Sequence, residues 1–308
     1  MKLDLLRKSL GVLVALVIFF FLGRKLFLSW HELEAYSWNF HILWLFASFV
    51  TLLLYRTLLV NPWIASLRFF DAQLSYRTGY QIFHLSQLGR YLPGKVWLLF
   101  GTVYLCKVAG VGQSEALLIT LLQLGFLTLS GILISGIVFL FTPTVSLPFT
   151  VNIPIGLSAI FIGLCILTIC WKKIFRFVSK QIFKDNFGQP FSGFHFLRFV
   201  VIYLLLWCCV GFAFFLFVRS LHPCDWSQLP AMTGIYACGW TVGFLSFITP
   251  GGLGVREGML TLALSAILPP PVATLIALLS RIWNIIADLI LASIALGMRR
   301  HQQHRKDL

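Results

Sequence analysis

Leu88-Gly-Arg-Tyr-Leu-Pro-Gly-Lys95 and Thr249-Pro-Gly-Gly-Leu-Gly-Val-Arg-Glu-Gly258 each put a Pro-Gly break and charge into apolar sequence. Proline removes a helix hydrogen bond and clashes with the preceding turn, while glycine lets the backbone turn freely. In hydrocarbon such a break leaves backbone polar groups unpaired, so it is tolerated only when buried in protein or lining a cavity. Two matched breaks, each beside an arginine, form the sequence pattern of a transporter's binding site. Pro93, Gly94, Pro250, Gly251 and Gly252 therefore mark both the fold and the place to look for function.

The surrounding sequence demands a membrane. The chain has 308 residues, is 59% hydrophobic and 11% charged, with a mean hydropathy of +0.90. A soluble protein carries about 25% charged residues. Long apolar runs such as 11–22 and 197–218 are those of a polytopic helical membrane protein. No polar stretch is long enough for a separate soluble domain, so residues 1–308 read as one membrane domain. The net charge of +14 does not indicate nucleic acid, because it sits in clusters beside apolar spans. Lys2, Arg7 and Lys8 precede the first span, Lys172, Lys173, Arg176, Lys180 and Lys184 fill one loop, and Arg299, Arg300, Arg305 and Lys306 form the tail. That is the positive-inside pattern of cytoplasmic loops.

Hydropathy places spanning helices at 9–29, 40–60, 115–141, 153–171, 196–219 and 271–298. The start of the chain has basic residues before an apolar run but no small-residue cleavage site, so it reads as a retained first helix. Regions 80–110 and 231–268 are each long enough for one bent span or for a re-entrant hairpin. Hairpins fit the charge better: with the N-terminus inside, the basic loops and the tail fall inside, while the His31–Glu34 and Asp225 loops fall outside. Arg24 and Lys25 are the main exception and can snorkel from the outer end of the first helix. The expected fold is all-α, with six full spans and two hairpins. Trp171–Phe187 mixes basic residues with apolar ones at helical spacing, which suits either an amphipathic helix on an anionic leaflet or an ordinary basic loop.

The two broken regions also look like copies. Pro93 and Pro250 lie 157 positions apart, and the same offset pairs Gly94 with Gly251, Gly101 with Gly258, Ala109 with Ala266 and Ala116 with Ala273. Three spans separate the hairpins, so the second copy enters from the opposite face. The expected repeats cover about 80–141 and 237–298, an inverted repeat of broken helices typical of alternating-access transporters.

Charge gathers at these breaks. A half-helix restarting at Pro93-Gly94 presents unpartnered N–H groups, with Arg90 before it and Lys95 just after. A helix N-terminus with a nearby lysine is a natural phosphate cradle. The second hairpin restarts at Gly251-Gly252, with Arg256 and Glu257 about a turn further on. Arg281, Asn284 and Asp288, at i, i+3 and i+7, share one face of the last span. Intramembrane charges are costly and face a bundle interior or a wet cavity. The plain alternative is a static Arg281–Glu257 or Arg281–Asp288 pair locking hairpin to helix. Because arginines outnumber carboxylates, an anionic ligand site is the better reading: Arg90, Lys95, Arg256 and Arg281 for the headgroup, with Glu257, Asp288 and Asn284 as an ion-pair or coupling network.

Other chemistry is not legible. Gly252-x-Gly254 lacks the third glycine of a dinucleotide fingerprint, there is no Walker lysine motif, and His31-Glu-Leu-Glu is not a zinc-protease sequence. The cysteines form no Cys-x-x-Cys pair, and no Ser/His/Asp set can be read. No catalytic residue, metal or cofactor is expected.

At these residues the chain resembles the transmembrane, flippase-like domain family of lysylphosphatidylglycerol synthetases. Gly89-Arg-Tyr-Leu-Pro-Gly-Lys-Val-Trp97 is similar to its first motif, Ile248-Thr-Pro-Gly-Gly-Leu-Gly-Val-Arg-Glu257 to its second, and Arg281 fits the pattern of its final helix. The resemblance implies a prokaryotic plasma-membrane protein handling lipids with charged or glycosylated headgroups, in a family with members linked to hopanoid and isoprenoid-glycolipid pathways. The best-known members add an aminoacyl-transferase domain, whereas this chain ends at Leu308, so lysyl-lipid synthesis by it alone is not expected. Gln123 stands about where members often show a carboxylate.

The expected function is binding and translocation of anionic-headgroup or isoprenoid-linked lipids between leaflets, with both termini cytoplasmic. The alternative is a non-transporting scaffold for a membrane glycosyltransferase or another lipid-modifying enzyme. Expected partners are membrane lipids and the anionic phospholipid surface, with that enzyme or a second copy of the chain as further candidates, and not nucleic acid.

Overall fold

Proline and glycine divide the chain into long and short helices, and the short ones fold back on themselves in the middle of the bundle. The computed structural model describes residues 40–70, 74–91, 96–141, 153–183, 192–246 and 252–304, with Ala72 and scattered positions between 20 and 38. The span expected at 9–29 lies almost wholly outside these, as do Pro93, Gly94, Lys95, Pro250 and Gly251. Among the described residues the protein is all-α.

From residue 40 onward the described α-helices are α1 (Ile42–Leu58), α2 (Val60–Arg68), α3 (Tyr76–Gln87), α4 (Trp97–Val108), α5 (Gln113–Phe141), α6 (Ile153–Phe183), α7 (Gly193–Arg219), α8 (Leu229–Leu245), α9 (Val255–Leu264) and α10 (Pro270–His304). Among the described residues, five stretches are long and apolar enough to cross a bilayer: α1 with α2, α5, the first part of α6, α7 and α10. The protein is a polytopic membrane protein. Only Leu59 separates α1 from α2, and Pro62 there has no N–H for the preceding turn. Ser75 caps α3 by accepting from the Thr78 N–H at 3.2 Å, and α10 opens on the proline run 269–271, where missing N–H groups cost nothing.

Both broken regions are hairpins. In the first, Gly101 of α4 lies against Ser86 of α3, and Gly89 lies against the Trp97 and Leu98 backbone. In the second, Gly239 of α8 faces Leu260 of α9, and Gly243 faces Arg256. Moving forward along one arm means moving back along the other, which is the register of antiparallel arms and excludes a single bent span. A one-turn 3₁₀ segment, Leu88–Tyr91, carries the first hairpin to its tip.

The two hairpins meet α10 from opposite ends. At the base of the first, the Arg77 Nη2 donates to the Met298 carbonyl at 2.8 Å, near the C-terminal end of α10. At its tip, the Tyr91 hydroxyl donates to Asp288 at 2.6 Å, ten residues nearer the middle. The second hairpin has its base at Leu264–Leu268, just before α10 begins, and its tip residue Glu257 reaches Arg281. At 1.5 Å per residue the two contact points on α10 lie about 10 Å apart.

A core rich in aromatic residues surrounds this arrangement. Phe126 of α5 packs among Trp171, Phe196, Phe199 and Tyr203, while Trp283 of α10 lies between Phe217 and Phe49. This settles the 171–187 stretch differently from either expectation. As far as Phe183 it is neither an in-plane helix nor a loop but the continuation of α6, because Trp171 and Phe175 are buried against α5, α7 and the end of α2. Lys172, Lys173, Arg176 and Lys180 project from the same helix, exposed.

A side chain at Gly243 would meet Arg256 Cβ at 2.8 Å and its Cα at 3.3 Å, whereas one at Gly258 would meet nothing within 4 Å. Gly243→Val is expected to destabilise by about 1–3 kcal/mol through overpacking. Gly258→Ala should be neutral or stabilising, since alanine is the better helix former. Thermal unfolding of the two variants in detergent distinguishes the outcomes.

Candidate functional site

The site is built where the two tips face the middle of α10, and it starts from two buried carboxylates. Asp288 is 1% exposed and Glu257 is 0% exposed. An ionised carboxylate at such depth persists only when it is paired and hydrogen-bonded.

Glu257 binds three donors. Its Oε2 accepts from the Gly254 N–H at 2.8 Å, and its Oε1 accepts from Arg281 at 2.7 Å and Arg256 at 3.4 Å. The first bond caps α9, with Gly254 at φ +80° supplying a turn that a side chain would strain. The half-helix N-terminus expected to be open to a ligand is therefore met at Gly254 by its own third residue.

Asp288 anchors the other tip. Its Oδ2 accepts from the Tyr91 hydroxyl and lies 3.7 Å from Arg90 Nη1. Its Oδ1 lies 3.6 Å from Arg56 Nε, and neither of those atoms has a hydrogen-bond partner among the described residues. This cluster is looser than the one at Glu257. Arg90 also donates to Gln87.

A polar chain joins the clusters. Arg56 Nη2 donates to Asn284 Oδ1 at 2.7 Å, and the Asn284 side chain also bonds the Tyr236 hydroxyl and the Ser280 carbonyl. Ser280 in turn accepts from Arg256 at 3.3 Å. Tyr236 offers its ring to the Arg256 guanidinium, 5.3 Å from the centroid. Arg281, Asn284 and Asp288 thus share one face of α10, as their spacing implies. The Arg281–Asp288 pair weighed from sequence does not form, because the two residues are two turns apart and a different hairpin meets each.

Between the tips lies a cavity of about 160 Å³. Arg56, Arg90, Arg256 and Arg281 supply its charged lining, Tyr91, Tyr236 and Asn284 its neutral polar lining, and Leu98, Leu124, Trp240 and Phe244 an apolar wall. No carboxylate among the described residues reaches the lining: Glu257 and Asp288 are buried and paired to the arginines that do. Of the residues expected at the headgroup, Arg90, Arg256 and Arg281 come together here, and Lys95 lies outside the described residues. Gln123 is buried next to the lining residue Leu124. No group of three or more His, Cys, Asp or Glu residues suited to a metal occurs among the described residues.

Sequence reasoning missed Arg56, Tyr91 and Tyr236. Arg56 was detectable as a charge inside the apolar run Leu52–Val60, and such a charge is by default a functional candidate. The tyrosines carried no comparable signal. Aromatic residues are common in such helices, and only the tertiary arrangement aims these two hydroxyls inward.

Long apolar helices with two opposed hairpins around an arginine-lined cavity make this a polytopic membrane protein with a candidate binding site at its centre. Residues 9–292 match the family described as Lysylphosphatidylglycerol synthase TM region, and the chain belongs to that family. No curated protein matches it.

Replacing Asp288 with Asn leaves Arg56 buried without its carboxylate, and removing one partner of a buried pair costs about 3–5 kcal/mol. The double change Arg56→Met with Asp288→Leu should recover part of that loss, since it removes both buried charges, while the Tyr91 hydroxyl and Arg90 still lose their acceptor. Unfolding midpoints of the single and double variants in detergent test both statements. A single variant as stable as the parent would show that the pair does not hold the tip.

Proposed function

We propose that this chain binds membrane lipids by an anionic headgroup at the cavity between the hairpin tips and carries that headgroup between leaflets. The observation that carries the reading is the uneven charge around the cavity. Among the described residues, four guanidinium groups line it, against two carboxylates set behind them. A static structural network would balance its charges, because unpaired charge in a low-dielectric interior is costly. An excess of arginine, whose planar fork matches phosphate, favours an anionic ligand. The apolar wall of Leu98, Leu124, Trp240 and Phe244 suits the first carbons of a lipid. In this account the role is binding and transport, without catalysis.

The motion follows from the uneven strength of the two anchors. Arg90 is the most exposed of the paired arginines, at 29%, and its 3.7 Å contact with Asp288 is easily exchanged for a phosphate oxygen. Glu257, committed to Arg281, Arg256 and the α9 cap, holds the second tip more firmly. Ligand binding would then loosen the first hairpin while the second stays docked. Opposed hairpins related by the 157-residue offset fit alternating access by an inverted repeat, and α5 and α10 begin 157 positions apart, at Gln113 and Pro270.

Charge also suggests the orientation. Phe70 of the α2 end meets Phe175, Phe69 meets His195, and Arg77 bonds Met298. Arg68, Arg77, Lys172, Lys173, Arg176, Arg198 and Arg299 therefore gather at one end of the bundle, which we take as cytoplasmic, with the C-terminus. At the other end, Arg219 is enclosed by Trp44 and Trp226 and donates to the Cys224 carbonyl.

Proteoliposomes carrying a fluorescent anionic phospholipid test the proposal, with leaflet exposure read by a membrane-impermeant quencher. Arg256→Ala and Arg90→Ala should each slow translocation by about tenfold or more, the scale expected for losing one charge-assisted contact of 1.5–3 kcal/mol. Unchanged rates in both variants would remove the site assignment. Retained lipid binding with no translocation by the parent protein would favour a scaffold for a lipid-modifying enzyme.

A further inference from the structure

The charge around the cavity is divided into two like halves. One holds Asp288 with Arg56 and Arg90, and the other holds Glu257 with Arg256 and Arg281. Among the described residues, each half sets two guanidinium groups against one carboxylate and so keeps one surplus positive charge. Each also belongs to a different hairpin, since Arg90 comes from the first tip and Arg256 from the second. Among the described residues only neutral groups join them: Asn284, Ser280 and the Tyr236 hydroxyl. All four arginines nevertheless line the same cavity.

Resting on the lipid-binding reading above, we propose that the site selects a phosphoryl group bearing two negative charges, a phosphomonoester or a diphosphate, over monoanionic phosphodiester headgroups. A monoanion compensates one half and leaves the other with surplus charge away from water, which is unfavourable. A dianion compensates both. It also presents enough oxygens for guanidinium forks from both hairpins at once, so its binding ties the tips together across the cavity. A zwitterionic or cationic headgroup brings no net negative charge and is disfavoured. The same chemistry is offered by a lipid phosphate and by free phosphate. The apolar wall formed by Leu98, Leu124, Trp240 and Phe244 would add affinity only for the lipid.

The test is competition for the full-length protein in phosphatidylcholine nanodiscs, against a fluorescent alkyl phosphate, using dodecyl phosphate, phosphatidylglycerol, additional phosphatidylcholine and inorganic phosphate. At pH 8 dodecyl phosphate should compete at least about tenfold more strongly than phosphatidylglycerol, the factor that corresponds to 1.4 kcal/mol. Lowering the pH to 5, below the second phosphate ionisation near 6, should erase that advantage, because phosphatidylglycerol keeps its single charge while dodecyl phosphate falls to one. Arg90→Gln, which removes the surplus from one half, should bring the two ligands to within about twofold of each other at pH 8. Equal competition by dodecyl phosphate and phosphatidylglycerol in the parent protein at pH 8 would overturn dianion selection while leaving an anion site in place. If added phosphatidylcholine competes as well as either, the headgroup-site reading itself fails. Inorganic phosphate matching dodecyl phosphate would support the dianion and identify its source as the free ion; much weaker competition by inorganic phosphate would support the dianion and identify the source as lipid.

Discussion

Two buried carboxylates on opposite sides of one helix-lined cavity hold the rest of this structure in place. Glu257 ties the second hairpin to Arg281, and Asp288 ties the first to the same helix through Tyr91 and Arg90. Each tip contains a backbone break that hydrocarbon would not tolerate unaided. Docking the tips on α10 supplies partners for the Tyr91 hydroxyl and for Glu257, while Glu257 also caps α9 from within its own tip. The arginines that satisfy the carboxylates also line the cavity, so the interaction that makes the hairpins tolerable also creates the candidate site.

The same economy explains why the site retains positive charge. Pairing each carboxylate with two arginines anchors the tip and leaves one guanidinium's worth of charge directed at the cavity. Burial strengthens both effects, because a charge pair or a charged hydrogen bond is worth more at low dielectric than in water. The two anchors differ in tightness. Glu257 accepts from Arg281 at 2.7 Å and from the Gly254 N–H at 2.8 Å, whereas Asp288 holds the first tip through the Tyr91 hydroxyl at 2.6 Å and leaves Arg90 at 3.7 Å. That 3.7 Å contact is the structural basis for assigning more freedom to Arg90.

Much of this was legible in the sequence because a membrane restricts what a chain can do. Apolar runs of sufficient length become spans, and a Pro-Gly break within apolar sequence must turn back or line a cavity. Hence the hairpins, the long helices and the shared face of Arg281, Asn284 and Asp288 could be read in advance. Pairings could not. Arg281 and Asp288 look like partners along one helix, yet opposed hairpins reach them separately. Nor did composition show that α6 runs on through its basic stretch to Phe183, because the burial of Trp171 and Phe175 depends on aromatic residues more than 20 positions away in sequence, Phe126, Phe196 and Phe70. Arg56 was visible as a lone charge, but its partners Asp288 and Asn284 lie over 220 residues further along the chain.

The central claim is that one ligand phosphoryl group touches both hairpins. A high-resolution structure of the protein with bound dodecyl phosphate tests it most directly. The account predicts phosphoryl density between the tips, within hydrogen-bond distance of guanidinium groups from the first hairpin and the second, with Arg90 drawn away from Asp288. Density outside the cavity, or touching one hairpin alone with both carboxylate anchors unchanged, would contradict it.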